Sequence, residues 1–85
     1  ICEKAGVPVQ IFANRADVRG GSTLGNLLGH QIAIPMVDIG LAQLAMHSAV
    51  ETASCSDALA MAKACAVFYN TPLSQPADGA WSLGL

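Results

Sequence analysis

Charge is what this sequence has least of. Of its 85 residues, four are Lys or Arg and six are Asp or Glu, so charged side chains make up 12% against 53% hydrophobic. A self-sufficient domain of this size leaves much of its surface in water and needs polar groups to cover it. So few charges do not cover it. With a mean hydropathy of +0.47, the composition implies that much of the surface packs against further protein or against lipid. Long apolar runs are missing too, which decides between the two. A membrane-spanning helix needs about 18 or more apolar residues in succession. The best stretch, residues 58–69, is shorter, is mostly alanine and carries Lys63. The membrane is excluded as a partner, and the remainder of a longer chain is expected instead.

Other absences narrow the class. Lys4, Arg15, Arg19 and Lys63 form no cluster, so a phosphate-tracking surface and a nucleic-acid partner are not expected. The chain opens Ile-Cys-Glu-Lys, with no basic region before an apolar core and no initiator methionine. The expectation is a segment from within a longer protein, without a signal peptide. Cys2, Cys55 and Cys65 form no CxxC, and three cysteines cannot all pair. Cys55 and Cys65 lie too far apart on helical chain to bridge within one helix. Buried free thiols in a reducing compartment, the cytoplasm, are the simplest expectation.

What is there reads as α/β. Residues 1–5 suit the last turn of a helix, with Gly6 at its left-handed end and Pro8 preventing continuation. Residues 9–14 alternate, Val9, Ile11 and Ala13 against Gln10, Phe12 and Asn14, which predicts a short strand. A charged, glycine-rich loop follows from Arg15 through Asp17, Gly20 and Gly21 to Ser22 and Thr23. Ser22 or Thr23 can cap the next helix. Leu24, Leu27, Leu28 and Ile32 recur at helical spacing and predict an amphipathic helix over 22–31. Gly25 and Gly29 would let it pack closely, at about 1 kcal/mol each relative to alanine.

Residues 34–39, IPMVDI, have the β-branched, apolar character of a central parallel strand. Asp38 within it pairs with a neighbouring charge, sits at the strand's carboxyl end near a site, or is exposed. Strand, crossover helix and strand make a right-handed βαβ unit. The glycine loop inside it has no GxGxxG, GKS or GKT, which disfavours a nucleotide-binding domain. Two readings of that loop stay open: a tight turn with a cap, or backbone N–H groups and Asp17 facing an active site.

Ligands of such sheets gather beyond the carboxyl ends of the strands. His47, in Leu41-Ala-Gln-Leu-Ala-Met-His-Ser-Ala-Val-Glu51, falls in or just after the loop at that edge. A lone histidine among apolar residues is by default a hydrogen-bonded core residue. At this position it is also a candidate metal ligand or proton carrier. Ser48 and Glu51 fit a serine-x-x-glutamate capping box, preferred here to a catalytic role for Glu51. Ser56-Asp57 opens a helix to residue 69 that is apolar nearly all round and so expected to be buried on several sides. Residues 71–85, with Pro, Gly and Ser and an isolated Trp81, read as a tail or covering strap.

Two blocks, in order, carry a resemblance: Arg15-x-Asp17 followed by Gly21-Ser22-Thr23-x-Gly25, and Asp38-Ile39-Gly40 followed by Ala45-Met46-His47-Ser48. Together they resemble the carboxyl-terminal end of the M18 family of metallo-aminopeptidases, the aspartyl aminopeptidase group, over residues 1–69. The resemblance implies part of a zinc-exopeptidase-like sheet flanked by helices, arranged strand–helix–strand–loop–helix. Residues 1–70 would then close the catalytic domain, with 71–85 as its tail. It implies two zinc ions in the whole enzyme, His47 ligating one of them, and a loop at Asp17, Gly21 and Ser22 facing the active site. Metals that polarise the scissile carbonyl and activate water, with a glutamate as proton carrier, are implied as the mechanism. Peptide substrates and a homo-oligomeric assembly are implied as partners.

The remaining ligands and the glutamate have no matching position, so this segment is expected to be inactive alone. There is no HExxH, and His30 reads as a surface or capping residue. After His47 the chain continues Ser48-Ala49-Val50-Glu51, where relatives often carry Ser-Ile/Pro-Arg/Tyr-Glu. That departure bears on local packing or substrate-side contacts and not on the ligand. The competing expectation, from a different class, is a non-catalytic packing or assembly segment in which His47 is structural.

Overall fold

The computed structural model describes residues 1–84. The chain divides into two compact units, Ile1–Gln10 with Leu41–Leu85, and Ile11–Gly40. Helices and strands are both present, as a mixed α/β chain requires. Their order is helix, helix, helix, strand, strand.

In the first unit, α1 (Cys2–Ala5) ends as the sequence predicts. Gly6 takes φ 65. Its N–H bonds to the Glu3 carbonyl at 3.0 Å, and the Val7 N–H reaches the Cys2 carbonyl at 3.0 Å. This pair of bonds is a Schellman motif, which satisfies carbonyls that the helix end leaves open.

The long helix, numbered α3 in chain order, spans Cys55–Tyr69 with Ser54 as its extended N-cap and Asp57 in its first turn. The cap therefore lies two residues before the expected Ser56. The Ser54 hydroxyl spends itself on the Ser56 hydroxyl at 2.7 Å. At the other end, Asn70 Nδ2 donates to the Ala66 carbonyl at 2.8 Å and Thr71 Oγ1 to the Val67 carbonyl at 2.6 Å. Pro72 cannot extend the ladder. α1 packs on α3. Ala64, at 9% exposure, is the one buried residue among those described. The apolar helix thus finds little in this chain to bury it, and Cys55 is exposed where a buried thiol was expected.

Residues 73–83, in the stretch read as a tail or covering strap, form a hairpin. β1 (Leu73–Ala77) and β2 (Ala80–Leu83) pair antiparallel, with Leu73 opposite Leu83 and Ala77 opposite Ala80. The ladder is irregular between Ser74 and Ala77, where Pro76 has no N–H to donate. Gly79 supplies the positive φ of 73 that the reversal needs. Gly84 N–H closes onto the Pro72 carbonyl at 2.9 Å.

The second unit contains α2 (Leu24–Gly29), four residues shorter than the expected 22–31. Two glycines in six residues weaken the helix, and the backbone leaves it through His30. Gly29 lies close to Met36, whose Cε would stand 3.5 Å from an added Cβ, in ordinary contact.

Neither expected strand forms. Residues 9–14 and 34–39 carry no ladder hydrogen bonds, and the sheet among the described residues is the two-stranded one of β1 and β2. Periodicity marks segments suited to a sheet, but a strand exists only through a hydrogen-bonded neighbour. Pairing that buries neither face does not offset the entropy of ordering. Ile11 is 96% exposed, Phe12 85% and Val37 84%.

Candidate metal centre

His47 sits at the tip of a closed loop in the first unit. Gln43 and Ala53 form an isolated antiparallel bridge at its base, and the Leu44 N–H donates to the Thr52 carbonyl at 3.2 Å. At the tip the Ser48 N–H returns to the Ala45 carbonyl at 2.9 Å, a β-turn with Met46 and His47 as its central residues. His47 takes φ 68 and is the one non-glycine residue with positive φ among those described. That value suits the third position of a type II turn, where glycine or asparagine is usual. An L-residue with a full side chain pays roughly 1–2 kcal/mol for this region. Such a conformation persists only where surrounding contacts fix it, and it concentrates at functional sites.

Glu51 supplies contacts of that kind. One carboxylate oxygen, Oε1, accepts from the Ala45 N–H at 2.8 Å and from the Thr52 N–H at 2.7 Å. Hydrogen bonds to an ionised carboxylate are shorter and stronger than neutral ones. The expected capping box is corrected here. No helix begins at Ser48, so there are no free helix N–H groups for Ser48 and Glu51 to satisfy, and the carboxylate turns to the loop. The His47 side chain is exposed, not a core residue.

The other sequence-marked residues lie in the second unit. Asp17 is engaged by Arg15, whose Nε and Nη2 reach its two oxygens at 3.0 and 2.6 Å. Both side chains are largely exposed. Ser22 Oγ accepts from Asn26 Nδ2 at 3.1 Å instead of capping α2. Open space surrounds the position a Cβ would take at Gly21. Asp38 finds a neutral partner, the Thr23 hydroxyl, which donates at 3.0 Å. His30 is the residue after α2 and is exposed, as expected of a surface or capping histidine.

No group of three or more His, Cys, Asp or Glu side chains is placed to hold a metal among the described residues. A catalytic zinc takes three protein ligands and keeps a further position open. His47 offers one imidazole, and among the described residues no other such side chain stands beside it to complete a set of three.

Residues 1–69 match the family model described as aminopeptidase I zinc metalloprotease, M18. The chain belongs to the M18 family. M18 relatives include a probable M18 family aminopeptidase 2 of Mycobacterium tuberculosis, 46% identical over 74 residues, which are 87% of this chain and 17% of that protein. Proteins of the same description from Clostridium acetobutylicum and Clostridium novyi are 46% and 47% identical over 70 residues, 82% of this chain and 16% of each. The chain thus spans about a sixth of the length of these M18 relatives. No solved structure matches it. Both sequence blocks, and the whole His47 loop, fall inside the M18 match, whereas the hairpin lies beyond it.

Proposed function

We propose that this chain is the carboxyl-terminal part of a dizinc aminopeptidase that removes N-terminal residues from peptides, and that it is inactive alone. Residues 1–70 complete the catalytic domain, and 71–85 are its tail. His47 contributes one ligand to one of the two zinc ions, and the loop at Asp17, Gly21 and Ser22 faces the active site. The observation that carries this reading is His47 itself, held in the left-handed region at the tip of a closed, solvent-facing loop within the M18 block. Zinc, when bound, supplies Lewis acidity toward a scissile carbonyl and toward water. This chain's part is to hold an imidazole nitrogen in place for it. The remainder of the parent chain is the first partner. There, residues 9–14 and 34–39 become strands of a zinc-exopeptidase-like sheet, which accounts for the apolar side chains they leave in water here. The assembled enzyme is a cytoplasmic homo-oligomer.

The test uses the full-length parent. His47→Ala should abolish hydrolysis of an aminoacyl chromogenic substrate and lower bound zinc from about two ions towards one, measured by elemental analysis. Full activity with both ions retained would return His47 to a structural role and this chain to a packing or assembly segment.

A further inference from the structure

The loop that carries His47 has its conformation set from outside the turn, by a carboxylate. A β-turn closed by one backbone bond, Ser48 to Ala45, does not by itself hold histidine at φ 68. Glu51 Oε1 takes one N–H from each arm of the loop: Ala45, which opens the turn, and Thr52, which lies next to the basal bridge. Both donors are backbone, so the contact constrains chain geometry and not merely side-chain rotamers. Remove the acceptor and the Ala45 N–H loses its side-chain partner. The strained turn is then free to relax to negative φ at His47, which re-aims the imidazole.

We infer that Glu51 is a positioning residue for the metal ligand: its carboxylate clasps the two arms of the loop and holds His47 in the left-handed conformation that presents its imidazole. The inference rests on the reading of His47 as a zinc ligand. It does not give Glu51 a proton to carry or a place against substrate. The clasp uses Oε1 alone and asks nothing of the second carboxylate oxygen.

That geometry separates three substitutions. In Glu51→Gln the amide oxygen can accept from the same two N–H groups, so the clasp survives the loss of charge. Glu51→Ala removes it. Glu51→Asp, one methylene shorter, cannot reach both arms with the loop unchanged. In the full-length enzyme, Glu51→Ala should weaken binding of one zinc ion about 10–100-fold, the scale on which loss of a ligand's supporting contacts acts. It should lower kcat while leaving KM within about threefold, because the bound substrate is not touched. Glu51→Gln should restore zinc affinity and kcat to within about threefold of the parent, with Glu51→Asp between the two. In metal-free protein, amide exchange at Ala45 and Thr52 should be slow in the parent and in Glu51→Gln, and fast in Glu51→Ala.

Zinc is titrated against a chelator of known affinity, so the readout does not depend on turnover. Glu51→Gln as impaired as Glu51→Ala would overturn the clasp and assign the charge itself a role. Unprotected Ala45 and Thr52 amides in the parent would overturn it even if Glu51→Ala failed to fold. His47→Ala run in parallel keeps the two levels apart. If it releases one zinc while Glu51→Ala retains both with parental affinity, the positioning inference falls alone. If His47→Ala itself retains both ions, the ligand reading falls and this inference with it.

Discussion

Thr23 gives its hydroxyl to the Asp38 carboxylate across fifteen residues of chain, at 3.0 Å. As the N-cap of α2 it has extended φ and ψ, yet makes no side-chain bond to the helix. The residue placed to cap the helix therefore ties the segment before α2 to the segment after it. Both side chains are exposed, so water competes for each. The coupling between them should be about 0.5–1 kcal/mol, the scale of an ordinary exposed hydrogen bond and below that of a shielded bond to a charged acceptor. A double-mutant cycle of Thr23→Ala and Asp38→Ala in the full-length protein, followed by urea unfolding, measures it. Strict additivity of the two single substitutions would show that the bond contributes nothing.

Gly6 offers a test of backbone conformation free of packing. Its φ is 65, and nothing lies within 4 Å of the position an added Cβ would occupy. Gly6→Ala therefore meets no clash and changes only the cost of the left-handed region, about 1–2 kcal/mol. Gly6→Asn should lose less, since asparagine tolerates that region better. If alanine and asparagine are equally tolerated in thermal unfolding, α1 does not depend on its Schellman end.

What could be foreseen along the chain follows how local each determinant is. The end of α1 needs only a residue that accepts positive φ and a proline soon after, and Gly6 and Pro8 declare both. The body of α3 follows from an unbroken run of helix-compatible residues closed by Asn70, Thr71 and Pro72. Residues 9–14 and 34–39 show strand periodicity, but pairing depends on chain far away in sequence, which periodicity cannot supply. The hairpin was within reach: Asp78-Gly79 is a turn signal, masked by Pro72 and Pro76, which argue against strand on either side. At the site, His47 stands out by motif, whereas its φ of 68 has no local signature, histidine not being the residue such a turn selects. Glu51 matched a capping pattern. The pattern has physical content only where a helix starts, and α3 starts at Cys55.

The isolated chain bears on how much of the zinc site it contains. The proposed donor is the His47 imidazole, and no cluster of three ligands exists among the described residues. Structural or catalytic zinc held by fewer than three protein ligands is weak. Titration of the 85-residue chain with zinc, by calorimetry or a competing chromophore, should show no stoichiometric binding tighter than micromolar. The same preparation should enhance the fluorescence of an apolar-surface dye, given Ile11, Phe12 and Val37 in water. Submicromolar binding by the isolated chain would contradict the assignment of the missing ligands to other parts of the parent.

The strain at His47 separates stability from function. Glycine enters the left-handed region without steric cost, so His47→Gly removes the penalty that histidine incurs at φ 68. Against that stands glycine's greater freedom in the unfolded chain, worth about 0.5–1 kcal/mol. With a penalty of about 1–2 kcal/mol relieved, the metal-free full-length protein should gain roughly 0.5–1 kcal/mol. The imidazole is exposed, so little packing is lost with it. The same substitution deletes the proposed ligand, so zinc content and peptidase activity should fall as in His47→Ala. His47→Ala keeps a Cβ and hence the strain, and should show no such gain. Urea unfolding of both metal-free variants beside the parent decides it. If His47→Gly is no more stable than His47→Ala, the positive φ is not a strained state that the loop enforces, and the histidine is held by something other than the turn.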